Sequence, residues 1–484
     1  MSRPGRVLAA GLLAVVAGAS LVACDDVNGV SRPSSALVLT GSQVPALVGA
    51  APGSVVAFRH TLVDDAPVWV QIPVQVDQRK VVGFGSQPAS NTTAGVAGTV
   101  YGSGATGPTA LQYADPNTFV GADTDPNVDA DDEIVFMTAD GGGKARAADH
   151  SSPAGVVPGS GVAVQFDDPR VADARGWVYL FRSSGGLDPA AGEDYVDYRF
   201  TLTSGDYKTT YKRADGPNPE TSRVITPSYR IDFTDRWYET SWKVLAAGAS
   251  GVDILDGHKN QFDLSTCGRS NATFADAEGA FVANIDGPVR AIRAYVGANS
   301  GPRTQRTHLM YRDHEEVLTD LRVHAIPAIM DFIDYSPQAV GMTYRSSTTP
   351  GGVPIDGVAD AVSTDLPTWE AVSGSQGTVL SHNEFTSSVA GLGAGTHQFY
   401  RDVVAPAEEQ CWGDGSFYGA SGAHIQTAIP NTDPNTTPFA TLQGRRVTWF
   451  GPPPATPSAV ATVAAEWAAD QAAPLTVSTS AYQP

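Results

Sequence analysis

The sequence predicts a mostly β protein, built of antiparallel, sandwich-type sheets in two units with one helix near the C-terminus. Three observations predict it. Short runs of alternating apolar and polar residues recur along the chain, the clearest being Val68 to Asp77, VWVQIPVQVD, and a period of two is the side-chain repeat of a strand. Turn-forming residues are abundant, with 50 Gly and 34 Pro in 484 residues, and they cluster between those runs, as they do in sandwiches and barrels. Clear helical periodicity is confined to one alanine-rich stretch near the end. A hydrophobic share of 42% is enough to bury cores and excludes wholesale disorder. A chain of 484 residues exceeds one ordinary core.

Residues 1–23 have the plan of an export signal. Arg3 and Arg6 supply a basic start, Val7 to Val22 an apolar stretch too short to span a bilayer, and Ala23 a small residue before the cut. The tetrapeptide Leu21-Val22-Ala23-Cys24 resembles the bacterial lipobox. That resemblance implies cleavage before Cys24, diacylglycerol on its thiol, and a lipoprotein held in the cell envelope at the outer face of the plasma membrane. Loss of two arginines takes the formal charge from −20 to −22. Residues 24–35 then read as a lipidated polar tether. An acidic field of this size repels phosphate backbones and excludes a nucleic-acid partner. Of the 3 cysteines, Cys267 and Cys411 remain. An even pair in polar, turn-like settings of an exported protein predicts one disulfide.

Composition places a first β unit at 36–160, a larger β-sandwich unit at 161–450, and a Pro-rich seam, helix and tail at 451–484, with Gly/Ala/Pro-rich stretches at 138–162 and 451–457 as seams. In the first unit, Val68–Asp77 is expected as a strand whose Pro73 puts it at an edge or bulge, and Glu133 to Met137 as a buried strand. Further strands are expected at Trp177 to Phe181, Tyr195 to Leu202 and Tyr229 to Phe233. Asp313 to Leu321, DHEEVLTDL, reads as a short helix or a turn. Ser458 to Gln471 reads as a helix: Thr456 can cap it, Pro457 fits its first turn, Pro474 stops it, and Val460, Val463, Ala464 and Trp467 lie at helical spacing.

Three regions carry chemistry-bearing residues. Asp123, Asp125, Asn127, Asp129 and Asp131 fall at alternate positions of a tight loop, a spacing that lets oxygen ligands wrap a hard cation. The pattern resembles the calcium loops of FG-GAP β-propeller blades, which run straight into a strand. The resemblance implies Asp123, Asp125, Asn127 and Asp131 as ligands of a structural calcium, with Val128 in place of the usual turn glycine. Second, Gly287-Pro-Val-Arg290, followed by the polar strand around Tyr311, resembles secreted bacterial proteins of the mutarotase-like β-supersandwich group, many of which bind or cleave polysaccharide. Beside Tyr311 stand Asp313, His314 and Glu315, candidates for acid–base work. Strand neighbours point to opposite faces, so at most two of the three can share a cleft. Third, the glycine-rich stretch from Cys411 to His424 offers Trp412, Asp414, Tyr418 and His424 as a sugar-stacking platform with a polar rim, to which Trp369 and Glu370 can add.

Several chemistries are excluded. Neither Ser375 nor Ser421 sits in a complete G-x-S-x-G elbow, and no Walker loop, H-E-x-x-H or C-x-x-C-H occurs. The 9 histidines are scattered without paired spacing, which argues against zinc. Asn91, Asn271 and Asn435 fit glycosylation sequons that a bacterial lipobox makes irrelevant. Two functions fit what remains: a lipoprotein whose β body binds or processes polysaccharide, or a non-enzymatic, calcium-stiffened adhesion or envelope-scaffold module.

Overall fold

A computed structural model of the chain describes residues 28–83, 109–118, 120–146, 151–204, 220–235, 238–267, 279–297, 305–322, 327–392, 395–428 and 441–482. The expected signal segment, the lipidation site Cys24 and the three sequons lie outside the described residues. The protein is mostly β, in several antiparallel sheets, with one α-helix among the described residues.

Two sheets make the first sandwich. Ala36–Thr40, Glu133–Met137 and Gln75–Asp77 form a three-stranded sheet with Glu133–Met137 in its centre. It faces a five-stranded sheet in the order Thr476–Tyr482, Gly161–Asp167, Arg175–Arg182, Val55–Val63, Ala66–Ile72. Alternation supplies the core: Leu37, Leu39, Ile134 and Phe136 meet Val55, Ala57, Val164, Val178 and Leu180 in one buried cluster. The five-stranded sheet takes strands from all three stretches that the compositional seams delimit. Val68–Asp77 is not one strand. Ala66–Ile72 ends before Pro73 at the sheet's edge, and Gln75–Asp77 belongs to the facing sheet. A proline has no N–H for a ladder, so the chain changes sheets there.

The larger sandwich is built on a nine-stranded sheet in the order Gly279–Ile285, Ala291–Gly297, Gln305–Met310, His314–Arg322, Thr441–Gly451, Gly377–Ser387, Glu370–Gly374, Thr343–Ser346, Thr349–Pro354. Two four-stranded sheets cover its inner face. One runs Asp197–Arg199, Ser222–Ile225, Tyr229–Asp235, Tyr238–Val244, and the other Leu255–Gln261, Ile329–Tyr335, Phe417–Ile425, Thr396–Val403. Ile231 and Trp242 of the first, with Ile333 and Tyr335 of the second, pack on Ile292, Ala294, Val379 and Phe450 of the large sheet. The strand expected over Tyr195–Leu202 shrinks to Asp197–Arg199 because Tyr195 turns aside, its N–H donating to Pro288 and its hydroxyl to Asp140. Asp313–Leu321, read as helix or turn, is instead the strand His314–Arg322. Both its edges are paired, and Glu315, Val317 and Thr319 are buried in strict alternation.

The helix forms as read, over Pro457–Ala472, with the Thr456 side chain accepting from Ala459 N at 3.3 Å. It buries Val460, Ala464 and Ala468 against Trp369, Ala371 and Leu380 on the outer face of the large sheet. Val463, expected in the apolar stripe, is 45% exposed. The stripe runs through small residues four apart, which lets the helix axis sit close to the sheet.

Two clasps hold the parts together. Arg290 of the GPVR stretch is buried between the sandwiches. Its guanidinium donates to Asp77 at 2.7 Å, to Glu133, and to the Tyr311 hydroxyl at 3.2 Å, while Tyr113 donates to Glu133 at 3.0 Å. Residues 28–35, expected as a free tether, lie on the body: Val30 is buried, and Arg32 pairs with Asp168 and donates to the helix-terminal carbonyl of Ala473 at 2.8 Å.

Candidate binding cleft

The strand His314–Arg322 serves two faces. Glu315 points into the sandwich, while His314 and Glu316 point outward, beside Arg445 of the neighbouring strand Thr441–Gly451. The helix stops short of this patch and the segment 31–38 runs past it, leaving a cleft of about 390 Å³ between sheet, helix and segment. That volume lies within the range of small-ligand sites.

The sheet forms the cleft's floor. Arg445 Nε donates to Glu316 Oε1 at 2.6 Å, and Arg445 Nη2 to Gln471 Oε1 at 3.4 Å. Burial works against the Arg445 charge, but Glu316 and Glu384 outweigh it and raise its pKa. His314 stacks on Tyr311 with ring centres 4.6 Å apart, and its Nδ1 lies 3.1 Å from Asp313 Oδ1. Burial alone would lift the Asp313 carboxyl. Its bonds to His314 and to the Ser34 hydroxyl win and hold it below the ordinary carboxylate range. The helix supplies Trp467, half-buried and edge-on to His382, together with Gln471 and Asp470, which pairs with Arg32 at 3.1 Å and with Arg170.

Of the residues singled out in the sequence, the cleft gathers Tyr311 and His314, with Asp313 behind His314. Glu315 is fully buried on the opposite face, 2.8 Å from His308. Glu370 is buried there too, accepting from Tyr344 at 2.8 Å and Asn383 at 3.1 Å, and burial raises its pKa. Trp369 lies under the helix, not toward solvent. His424 is 9% exposed beside Asp263, and burial lowers its pKa. Trp412 stacks on Tyr238 at 4.6 Å near Lys259, and Asp414 caps Ser416 within its own loop. Tyr418 packs against the larger core, and Cys267 and Cys411 are bonded, their Cα atoms 4.8 Å apart. The three regions therefore do not converge on one cleft.

The acidic loop is a chain of short turns. Asp123 accepts from Thr124 N, Asp125 from Asn127 N and Asp129 from Asp131 N. Its carboxylates gather at Asp129, Asp131 and Asp132, with oxygens within 4.8 Å of one another. The hydrogen-bonded Asp129 pushes the Asp131 carboxyl up to about 6. Val128, where a glycine was expected, is fully buried and ties the loop to Ala50, so the loop is anchored by a core side chain.

Sequence reasoning did not single out Glu316, Arg445, Asp470 or Arg32, and it placed Trp467 only in a core stripe. Their signal is tertiary, since three separated stretches of chain meet in the cleft. Fold and cleft define a class, a β-sandwich protein with a polar, tryptophan-bearing cleft on the outer face of its largest sheet. The chain matches no protein-family model and no curated protein.

Proposed function

We propose that the protein is an exported lipoprotein, anchored through Cys24 at the outer face of the plasma membrane, whose β body binds polysaccharide in this cleft. The supporting observation is what lines it: the indole of Trp467 beside Glu316, Arg445, Asp470 and the Gln471 amide. A saccharide presents apolar C–H faces that stack on an indole and hydroxyls that bridge carboxylate acceptors and guanidinium donors. Binding is favoured over cleavage because Glu316 and Asp470 are each engaged by arginines, whereas glycoside hydrolysis uses two carboxyl groups poised across the scissile bond. The test is retention of the mature chain on a panel of immobilised polysaccharides. Wild type is retained, and Trp467→Ala weakens retention roughly tenfold, the worth of about 1.4 kcal/mol. Absence of retention on every polymer overturns the proposal.

A second reading, a calcium-stiffened adhesion or scaffold module, draws on the gathered Asp129, Asp131 and Asp132. Under it a chelator lowers the melting temperature, and Asp131→Asn abolishes that response. A chelator response without saccharide retention selects this reading over the first.

A further inference from the structure

Inside the larger sandwich, across the sheet from the cleft, four side chains converge from four strands. Glu239 and His258 come from the two covering sheets, His308 and Glu315 from the nine-stranded sheet. Glu239 Oε1 lies 3.3 Å from His258 Nδ1 and 3.5 Å from His308 Nδ1, and His308 Nδ1 lies 2.8 Å from Glu315 Oε1. Ligand atoms of Glu239, His308 and Glu315 all fall within 4.8 Å of one another. None of the four residues is more than 1% exposed.

Three further observations separate this cluster from a merely buried polar group. It has a supporting shell: His258 Nε2 lies 2.9 Å from Asp331 Oδ1, Arg446 donates to that oxygen at 2.7 Å, and Trp242 Nε1 donates to Glu239 Oε2 at 2.7 Å. Metal-bound imidazoles and carboxylates are oriented by such outer partners. Glu315 Oε2 is buried with no hydrogen-bond partner, an expensive state that a second bond to a cation would relieve. Among the described residues, the four carboxylates of Glu220, Glu239, Glu315 and Asp331 face the three guanidinium groups of Arg293, Arg306 and Arg446.

We propose that Glu239, His308 and Glu315 bind one divalent transition-metal ion, with His258 as a positioning residue between Glu239 and Asp331. One imidazole with two carboxylates forms a nitrogen–oxygen set suited to Zn²⁺, Fe²⁺ or Mn²⁺, while Ca²⁺ and Mg²⁺ favour oxygen alone. In the supporting shell, the Asp331 side chain is 15% exposed and lines a small cavity of about 20 Å³ with Asn260 and Met330.

The experiment is elemental analysis of the mature chain, purified without chelator or histidine tag, before and after dialysis against Zn²⁺. The expected result is roughly one transition-metal ion per chain, falling at least about tenfold in Glu315→Gln and unchanged in Asp131→Asn. Should Glu315→Gln fail to fold, the wild type alone decides. Zn²⁺ then raises its melting temperature, a chelator reverses the rise, and bound Co²⁺ shows the visible absorption of a nitrogen–oxygen site. No metal after dialysis, or equal loading of folded Glu315→Gln, overturns the proposal and leaves Glu239 and Glu315 as a proton-sharing pair.

Discussion

Arg290 illustrates what one residue's neighbours add to its sequence context. GPVR stands out in the sequence beside Tyr311, and Arg290 and Tyr311 meet in space, but in a polar cluster joining two sandwiches, where Tyr311 alone of the two also lines the cleft. The partners Asp77 and Glu133 lie 213 and 157 residues away, beyond any local pattern. Asp334 makes the same point and gives a pH dependence. Its carboxyl accepts from Lys259 at 2.6 Å, yet burial dominates, and its pKa rises from 3.8 to about 7. Between those values the folded chain holds a proton that the unfolded chain has released. This group's contribution is therefore complete below about pH 4 and is lost as pH rises toward 7, by up to about 1.4 kcal/mol per pH unit. Denaturant titrations from pH 4 to 7 should show this fall in wild type and a flatter profile in Asp334→Asn.

At the scale of elements, the helix was legible because its signals are local: a capping threonine, a proline in the first turn, and alanines in between. Removing the cap should show it. Thr456→Ala is expected to cost about 1 kcal/mol in chemical denaturation, with the cleft's side chains untouched. The strand His314–Arg322 was less legible. Its charged, leucine-bearing composition suits a helix, and only pairing on both edges decides for a strand. That decision matters for function, because period two sends Glu316 to the cleft and Glu315 to the interior. The scattered histidines are a related case. His258 and His308 belong to strands of two facing sheets, so their meeting leaves no spacing to read.

For the whole molecule, the mostly β class, the paired cysteines and the abundance of turns were legible, being sums over many weak local signals. The sheet memberships were not, because they depend on pairings between distant stretches. Thr476–Tyr482 adds to Gly161–Asp167, and Arg32 reaches a carbonyl 438 residues away. The disulfide closes a separation of 144 residues. Reducing it should lower stability by up to roughly 4–5 kcal/mol in the chain-entropy account, read as a drop in the denaturation midpoint with dithiothreitol that Cys267→Ser/Cys411→Ser reproduces.

The pairing of Thr476–Tyr482 with Gly161–Asp167 also bears on how the chain is made. Until the later strand is available, the earlier one presents an open row of backbone donors and acceptors, and aromatic residues such as Tyr179 lack the cover that Tyr482 provides. Open edges of this kind recruit other chains, and folds dominated by distant pairings form slowly. During synthesis the first sandwich therefore keeps an open edge until its closing strand arrives.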